Sequence, residues 1–444
     1  MKKKMKDEYK GLVIAHNPLS KRTNNGKTYA SLLSNFSKNQ LCQIYSTNLQ
    51  PDFEIAGSYY KINEKKVLGN KRGDIGGEVV FDDVMLIDSE NGSKTSKSKQ
   101  KLKKYIQSLT YTRTGQAIRS FLWGNSSLLN EDLRMWIEKE KPNFVFWGNG
   151  NINAMLNLVL QICKEYKLPL IVNLGDDYFS RGYTANIFYN SYQKKLKMAF
   201  SEIAKQAEVI VVCSDKMEKS LRNQFGGNYL IAMNSVDEND VFEKKQMNKN
   251  SITMVYTGNV GIGRWKTLVQ VGGALKRLQN EWNVCLDIYS GEELEPKIVK
   301  GLNQLPYMRL HPAVYGDDLY KVRKNADIML FVETFEKKHK KLLETAVSTK
   351  VPEYLNTRRS ILAVGPEYSA AIEYYKKNDV AEVVNSMEES KIAEAIKRLV
   401  EGDIKRLERI ERGYALVEKE HLREVNAGKI EEYIVKGIEK RKVG

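Results

Sequence analysis

Residues 256–268 read YTGNVGIGRWKTL. They follow an apolar run, SITMVY, and lead into a segment where Trp265, Leu268, Gly272, Leu275 and Leu278 recur close to one helical face. A buried strand, a glycine-rich turn and an amphipathic helix, in that order, make up the repeating unit of a parallel α/β sheet. Such a turn aims backbone N–H groups and a helix N-terminus at whatever lies in front, and both favour an anion. Gly258, Gly261 and Gly263 are spaced G-x-x-G-x-G, whereas a dinucleotide-binding turn needs G-x-G-x-x-G. Gly258 and Gly263 have the Walker A separation, but Arg264 and Trp265 intervene and Lys266 comes too late. NNGKT, at 24–28, has the right G-K-T end with Lys21 where the first glycine should stand. Neither is a convincing nucleoside triphosphate loop, and a plain strand-to-helix turn using glycine for positive φ is the competing reading.

The same alternation extends outward in both directions. Upstream, GLVIAH, PNFVFWGNG, LPLIVNLGDD and AEVIVVCSDKM each read as a buried strand, and YASLLSNFSK after the first carries Tyr29, Leu32, Leu33 and Phe36 on one helix face. Downstream, NVCLDIYSG, MRLHPAV, ADIMLFVE, SILAVGP and AEVVNS continue the series begun by ITMVYTG. NSVDENDVFEKKQMNKNS, at 234–251, has few apolar residues and separates the two series. The fold class expected is therefore α/β, with two Rossmann-like doubly wound domains. Their bounds are 1–236 and 251–425, joined by a linker at 237–250 and followed by a C-terminal helix at 426–444 that packs back on the first domain. Residues 60–125 break the rhythm, and six lysines between Lys94 and Lys104 read as a solvated loop.

Composition narrows the function classes. A chain of 444 residues exceeds what one core usually organises, in keeping with two domains. The 71 Lys and Arg against 55 Asp and Glu, a net charge of +16, attract anions: nucleic acid, anionic lipid or phosphorylated ligands. Cys42, Cys163, Cys213 and Cys285 stand far apart, mostly in apolar runs, and imply buried thiols in a reducing compartment. No apolar run approaches the ~18–20 residues of a membrane span. LVIA, after the basic start, is too short for a signal peptide. A cytosolic protein, peripheral on a membrane surface, is expected. Nucleic acid is not expected as a partner, because the 94–104 lysines lack the interleaved aromatics of a stacking platform.

A second segment bears on the glycine turn. In STKVPEYLNTRRSILAVG, Lys350 and Glu353 open a helix that runs into another strand. A helix-initial carboxylate accepts hydrogen bonds from two ribose hydroxyls, and a nearby lysine meets a diphosphate. Alone, Glu353 is equally read as a favourable charge at a helix N-terminus.

Together, YTGNVGIGRWKTL, STKVPEYLNTRRSILAVG, ADIMLFVE and NNGKTYASLL resemble the retaining family 4 glycosyltransferases of the two-domain B fold. The closest likeness is to enzymes that build bacterial capsular and cell-surface polysaccharide. The resemblance implies two domains facing a cleft, and transfer of a hexose or N-acetylhexosamine from a nucleotide-diphosphate sugar to a lipid-linked or oligosaccharide acceptor. It places Gly258, Gly261, Gly263, Arg264, Lys266, Lys350 and Glu353 at the donor, with Gly26 closing over the diphosphate from the first domain and Asn25 toward the acceptor. Arg264 would offset the charge on the leaving diphosphate. Asp176 and Asp177 stand where the family has a catalytic-region histidine; they would orient the acceptor hydroxyl, bind donor hydroxyls, or cap the loop. No cofactor and no metal is implied, and no Asp-x-Asp motif occurs.

The sequence departs from the family in two further places. Counting back from Glu353 along Glu-x7-Glu gives Thr345 where the first glutamate belongs; Glu336 and Glu344 have that spacing by chance. The second basic residue falls at Val269, so Lys266 or Lys350 replaces it. The alternatives are a sugar-nucleotide epimerase of similar architecture and, from another class, a basic nucleic-acid-binding protein.

Overall fold

A computed structural model of the chain describes residues 9–21, 24–63, 77–81, 112–123, 128–148, 150, 152–180, 182, 184–237, 240, 242–291 and 294–443. The lysine-rich stretch at 94–104 lies outside them.

The described residues divide into two compact units. The first holds 1–212, 218–231 and 427–444; the second holds 213–217 and 232–426. In the first, the strands are β1 (Gly11–Ile14), β2 (Leu41–Tyr45), β3 (Ser58–Ile62), β4 (Gly77–Val80), β5 (Phe144–Gly148), β6 (Leu170–Leu174), β7 (Ala207–Val212) and β8 (Tyr229–Ile231). They form one sheet in the order β4-β3-β2-β1-β5-β6-β7-β8, parallel except where β4 runs against β3. Its helices are α1 (Asn24–Leu32), α2 (Arg113–Trp123), α3 (Glu131–Glu140), α4 (Asn153–Glu165), α5 (Ile187–Gln206) and most of α6 (Asp215–Phe225). Central strands β1, β5 and β6 are buried at every position, as expected when helices cover both faces.

The second unit has strands β9 (Ile252–Thr257), β10 (Val284–Ser290), β11 (Met308–Pro312), β12 (Ile328–Val332), β13 (Ser360–Val364) and β14 (Glu382–Val384). The helices are α7 (Arg264–Leu278), α8 (Pro296–Leu302), α9 (Gly316–Asn325), α10 (Lys340–Thr345), α11 (Lys350–Asn356), α12 (Ala370–Asn378), α13 (Glu389–Glu401) and α14 (Asp403–Leu416). All pairings are parallel, in the order β11-β10-β9-β12-β13-β14. Met254, Tyr256, Leu286, Leu330 and Leu362 face one core with Leu268, Leu275 and Ile396; Val255, Met329, Phe331 and Ala363 face the other with Tyr354 and Tyr375. Alternate residues of each strand thus bury against opposite helix layers.

The strand order reverses direction between β9 and β12 in this unit and between β1 and β5 in the first. Doubly wound sheets open a crevice at that switch, outside the carboxyl ends of the two strands.

Two sequence expectations change. The NNGKT stretch is not an open loop: Asn25, Gly26 and Lys27 lie in the first turn of α1. The segment at 237–250 is no free linker, since Phe242 and Met247 are buried. It is held on the second unit by Asn356 Nδ2 donating to Asp240 O (2.9 Å), Arg359 donating to Glu243 O (2.7 Å) and Lys245 paired with Asp327 (2.8 Å). The last helix, α15 (Arg423–Val443), starts in the second unit, and residues 427–444 belong to the first. Ile430, Ile434 and Ile438 are buried, Asn35 Nδ2 donates to Glu431 (2.6 Å), and Arg441 pairs with Glu208 (2.5 Å).

Candidate active site

The glycine turn lies at the carboxyl end of β9, on the switch point. Gly258 has φ +132° and Gly263 φ +87°, backbone that an L side chain rarely adopts. Each also lets a polar group approach: a Cβ on Gly258 would collide with Lys350 Cε and Nζ, and one on Gly263 with Thr334 Oγ1. Gly261 has no positive φ; the left-handed residue beside it is Ile262, at φ 48°. The N–H groups of Arg264, Trp265 and Lys266 donate to the carbonyls of Gly261, Val260 and Gly263 at 3.0–3.1 Å. They are therefore spent inside the turn, and the anion-binding character of this end rests on side chains rather than on the helix N-terminus.

Those side chains form a compact charged set. Arg264 donates through Nε to Glu333 Oε2 (2.9 Å), with its terminal nitrogen also at 2.9 Å. Glu333, just past β12, is 3% exposed; Thr267 Oγ1 donates to its carbonyl at 2.9 Å. Burial raises the Glu333 pKa, opposed by Arg264 and Lys350. Lys350, the first residue of α11, donates to Tyr256 OH (3.2 Å) and sits 4.6 Å from that ring's centroid. Its pKa is lowered to about 8, first by desolvation and then by Arg264, with Glu333 and Glu353 acting the other way. Two basic groups thus converge on one buried carboxylate, a surplus of positive charge at the mouth of β9 and β12.

One turn further along α11, Glu353 accepts from Arg323 of α9 at 2.6 Å, and this guanidinium lies 5.9 Å from the Tyr354 ring centroid. Tyr354 OH in turn accepts from Thr257 N at 3.1 Å, which ties α11 to the end of β9. Lys266 is on the outside of α7, paired with Glu336 at 2.7 Å. Lys266 and Lys338 hold the Glu336 carboxyl down at about 2.

In the first unit, Asp177 Oδ1 accepts from Phe179 N (3.0 Å) and Ser180 N (2.8 Å), so this carboxylate shapes its own loop. Asp176 accepts from Tyr178 OH at 3.2 Å. The Tyr29 pKa is raised mainly by burial and secondarily by Asp176, and the Tyr29 ring fills the space over Gly148. The carboxyl ends of β5 and β6 and the helix carrying Asn25 and Gly26 therefore converge. His16, just past β1, contacts Ser46 Oγ (2.6 Å) and Arg119 (3.3 Å). It stands at this unit's own switch point.

Of the residues expected from sequence, the structure brings Gly258, Gly263, Arg264, Lys350 and Glu353 into one neighbourhood. It gives Lys266 an exposed ion pair and Asp177 a loop-shaping role. Sequence reasoning missed Glu333, Arg323 and His16. The first and last follow apolar strands directly, which is the signal that locates such positions. Among the described residues, no group of three or more His, Cys, Asp and Glu is arranged to hold a metal ion.

Known structures share this architecture along nearly the whole chain. The HepE protein of Anabaena in complex with UDP superposes with a TM-score of 0.60 at 12% identity, covering 96% of this chain and 100% of that one. A sucrose-phosphate synthase from Thermosynechococcus elongatus gives 0.59 at 9%, covering 96% and 98%. WaaG, a glycosyltransferase of lipopolysaccharide biosynthesis, gives 0.56 at 9%, covering 95% and 99%. The chain has the glycosyltransferase B fold. At these identities the likeness is one of fold. No protein-family model and no curated protein matches the sequence.

Proposed function

We propose that the protein is a glycosyltransferase that takes a hexose or N-acetylhexosamine from a nucleotide-diphosphate sugar, with retention, as the family 4 enzymes do. The observation that carries this reading is the Arg264–Glu333–Lys350 set at the β9/β12 switch point, with Glu353 one helical turn away. Arg264 and Lys350 meet the diphosphate, and the guanidinium offsets the charge that builds on it as the glycosidic bond breaks. Glu353 takes the ribose hydroxyls. Asp176 orients the acceptor hydroxyl for attack on the face that the leaving group departs from. Structures of the same fold in complex with UDP and with UDP-glucose support this donor class.

The acceptor is proposed to be lipid-linked or a growing oligosaccharide of a capsular or other cell-surface polysaccharide. The protein works in the cytoplasm, against the inner face of the plasma membrane. Side chains carry the charge compensation, and no metal is required; full activity in a strong chelator is the check on that point.

A thermal-shift screen with UDP-, GDP- and ADP-sugars tests the donor assignment, because a bound ligand stabilises the folded state by mass action. A clear rise in melting temperature is expected with one nucleotide class, and the rise is lost in Arg264→Ala. If Arg264→Ala leaves donor hydrolysis and transfer unchanged, the site is elsewhere. The anomeric configuration of the product, read by proton NMR, decides retention.

A further inference from the structure

We infer that the outer faces of α2 and α5 form a docking surface for an anionic lipid bilayer. This gives residues to the membrane part of the reading above. On α2, Ile118 is 55% and Phe121 68% exposed, on the same face as Thr114. On α5, the first two residues, Ile187 and Phe188, are each 80% exposed. The helices are stitched where these residues begin: Asn186 caps α5, accepting from Tyr189 N (3.0 Å), and its Nδ2 donates to Thr114 Oγ1 (3.0 Å). The contact sets the exposed start of α5 beside the face of α2 that carries Ile118 and Phe121, and several large apolar side chains exposed on adjoining helices mark an interaction site.

Charge decides the occupant. Neither α2 nor the stretch of α5 from Ile187 to Ser201 contains an acidic residue, and Lys194 and Lys195 are exposed. Exposed apolar side chains beside lysines, with no carboxylates among them, match the interface of a bilayer containing anionic lipid. A second copy docked about a two-fold axis would set these lysines against their own equivalents. The start of α5 also follows the β6 loop that holds Asp176, so the patch lies at the end of the sheet where acceptors are expected.

The test is co-sedimentation of the full chain with vesicles of phosphatidylcholine, with and without about one third phosphatidylglycerol. Binding is expected only with the anionic lipid and is expected to fall at high salt. Phe121→Ser/Phe188→Ser and Lys194→Glu/Lys195→Glu should each lower the partition coefficient about tenfold or more. Their melting temperatures and their rates of donor hydrolysis should match those of the unaltered protein. Absence of binding by the unaltered protein overturns the inference, as does equal binding to both vesicles or undiminished binding by both variants. So does a dimer in sedimentation equilibrium that Phe121→Ser/Phe188→Ser dissociates. A protein that binds anionic vesicles through this face yet neither binds nor hydrolyses a nucleotide sugar would retain this surface and lose the transferase reading.

Discussion

At the scale of single residues, Arg264 is held rather than free, and its holder is Glu333. Replacing Arg264 by alanine should lower kcat by about a hundred- to a thousand-fold, the usual cost of losing one preorganised charge at a developing anion. Lysine should not rescue it, since a lysine does not reproduce the forked geometry. Glu333→Gln leaves Arg264 without its buried partner carboxylate and Lys350 with Glu353 alone. It should destabilise the unit by about 3 kcal/mol, measured by chemical denaturation. Lys350 makes a pH prediction. Its folded value of about 8 lies below its ordinary 10.5, so between those values the unfolded chain binds the proton more readily. Stability from this group therefore rises with pH across that window and is lost as pH falls through about 8. The melting temperature of the unaltered protein should gain on that of Lys350→Met from pH 8 toward pH 10. A diphosphate would restore the proton, so donor affinity should weaken above about pH 8, with a flatter profile in Lys350→Arg. The sequence made Arg264, Lys350 and Glu353 legible through a turn and a helix start. Glu333 follows an apolar strand, but nothing in the spacing ties it to Arg264, a helix start far away in the sequence.

At the scale of elements, the strand-turn-helix reading of 251–278 located β9 and α7, and the other strands of the second unit emerged where apolar runs predicted them. The central strands β12 and β13 are buried at every position, so their runs are uninterrupted and easy to see. LCQIY and SYYKI were passed over: their glutamine and lysine disguise strands that are nonetheless buried, with Gln43 0% and Lys61 8% exposed. Gln43 Oε1 accepts from Leu19 N at 2.6 Å, which allows that burial. The two ends of the glycine turn are the places where the backbone tolerates nothing else. Gly258→Ala should cost about 1–3 kcal/mol in strain and also displace Lys350. Donor affinity should thus fall by more than in Gly261→Ala, whose backbone is ordinary; isothermal titration compares them. The expectation of a helix-N-terminus anion site did not hold, because periodicity does not reveal that the turn's own carbonyls absorb the first N–H groups.

At the scale of the molecule, composition and strand rhythm were enough for two α/β units, but the anchoring of the segment between them was not legible. A polar segment looks like a linker whether or not Phe242 and Met247 anchor it. Deleting residues 427–444 should expose the seat of Ile430, Ile434 and Ile438, each worth about 1.5–3 kcal/mol when buried. The first unit should then lose its cooperative transition in calorimetry while the second retains one. The discontinuity also sets a clock on synthesis. More than half the chain is made after Val212, so the sheet of the first unit waits on the ribosome about 10–50 s for its closing helix. During that interval the seat of the three isoleucines has no helix to cover it, whereas the second unit is complete as soon as its own last residue, Asn426, is made.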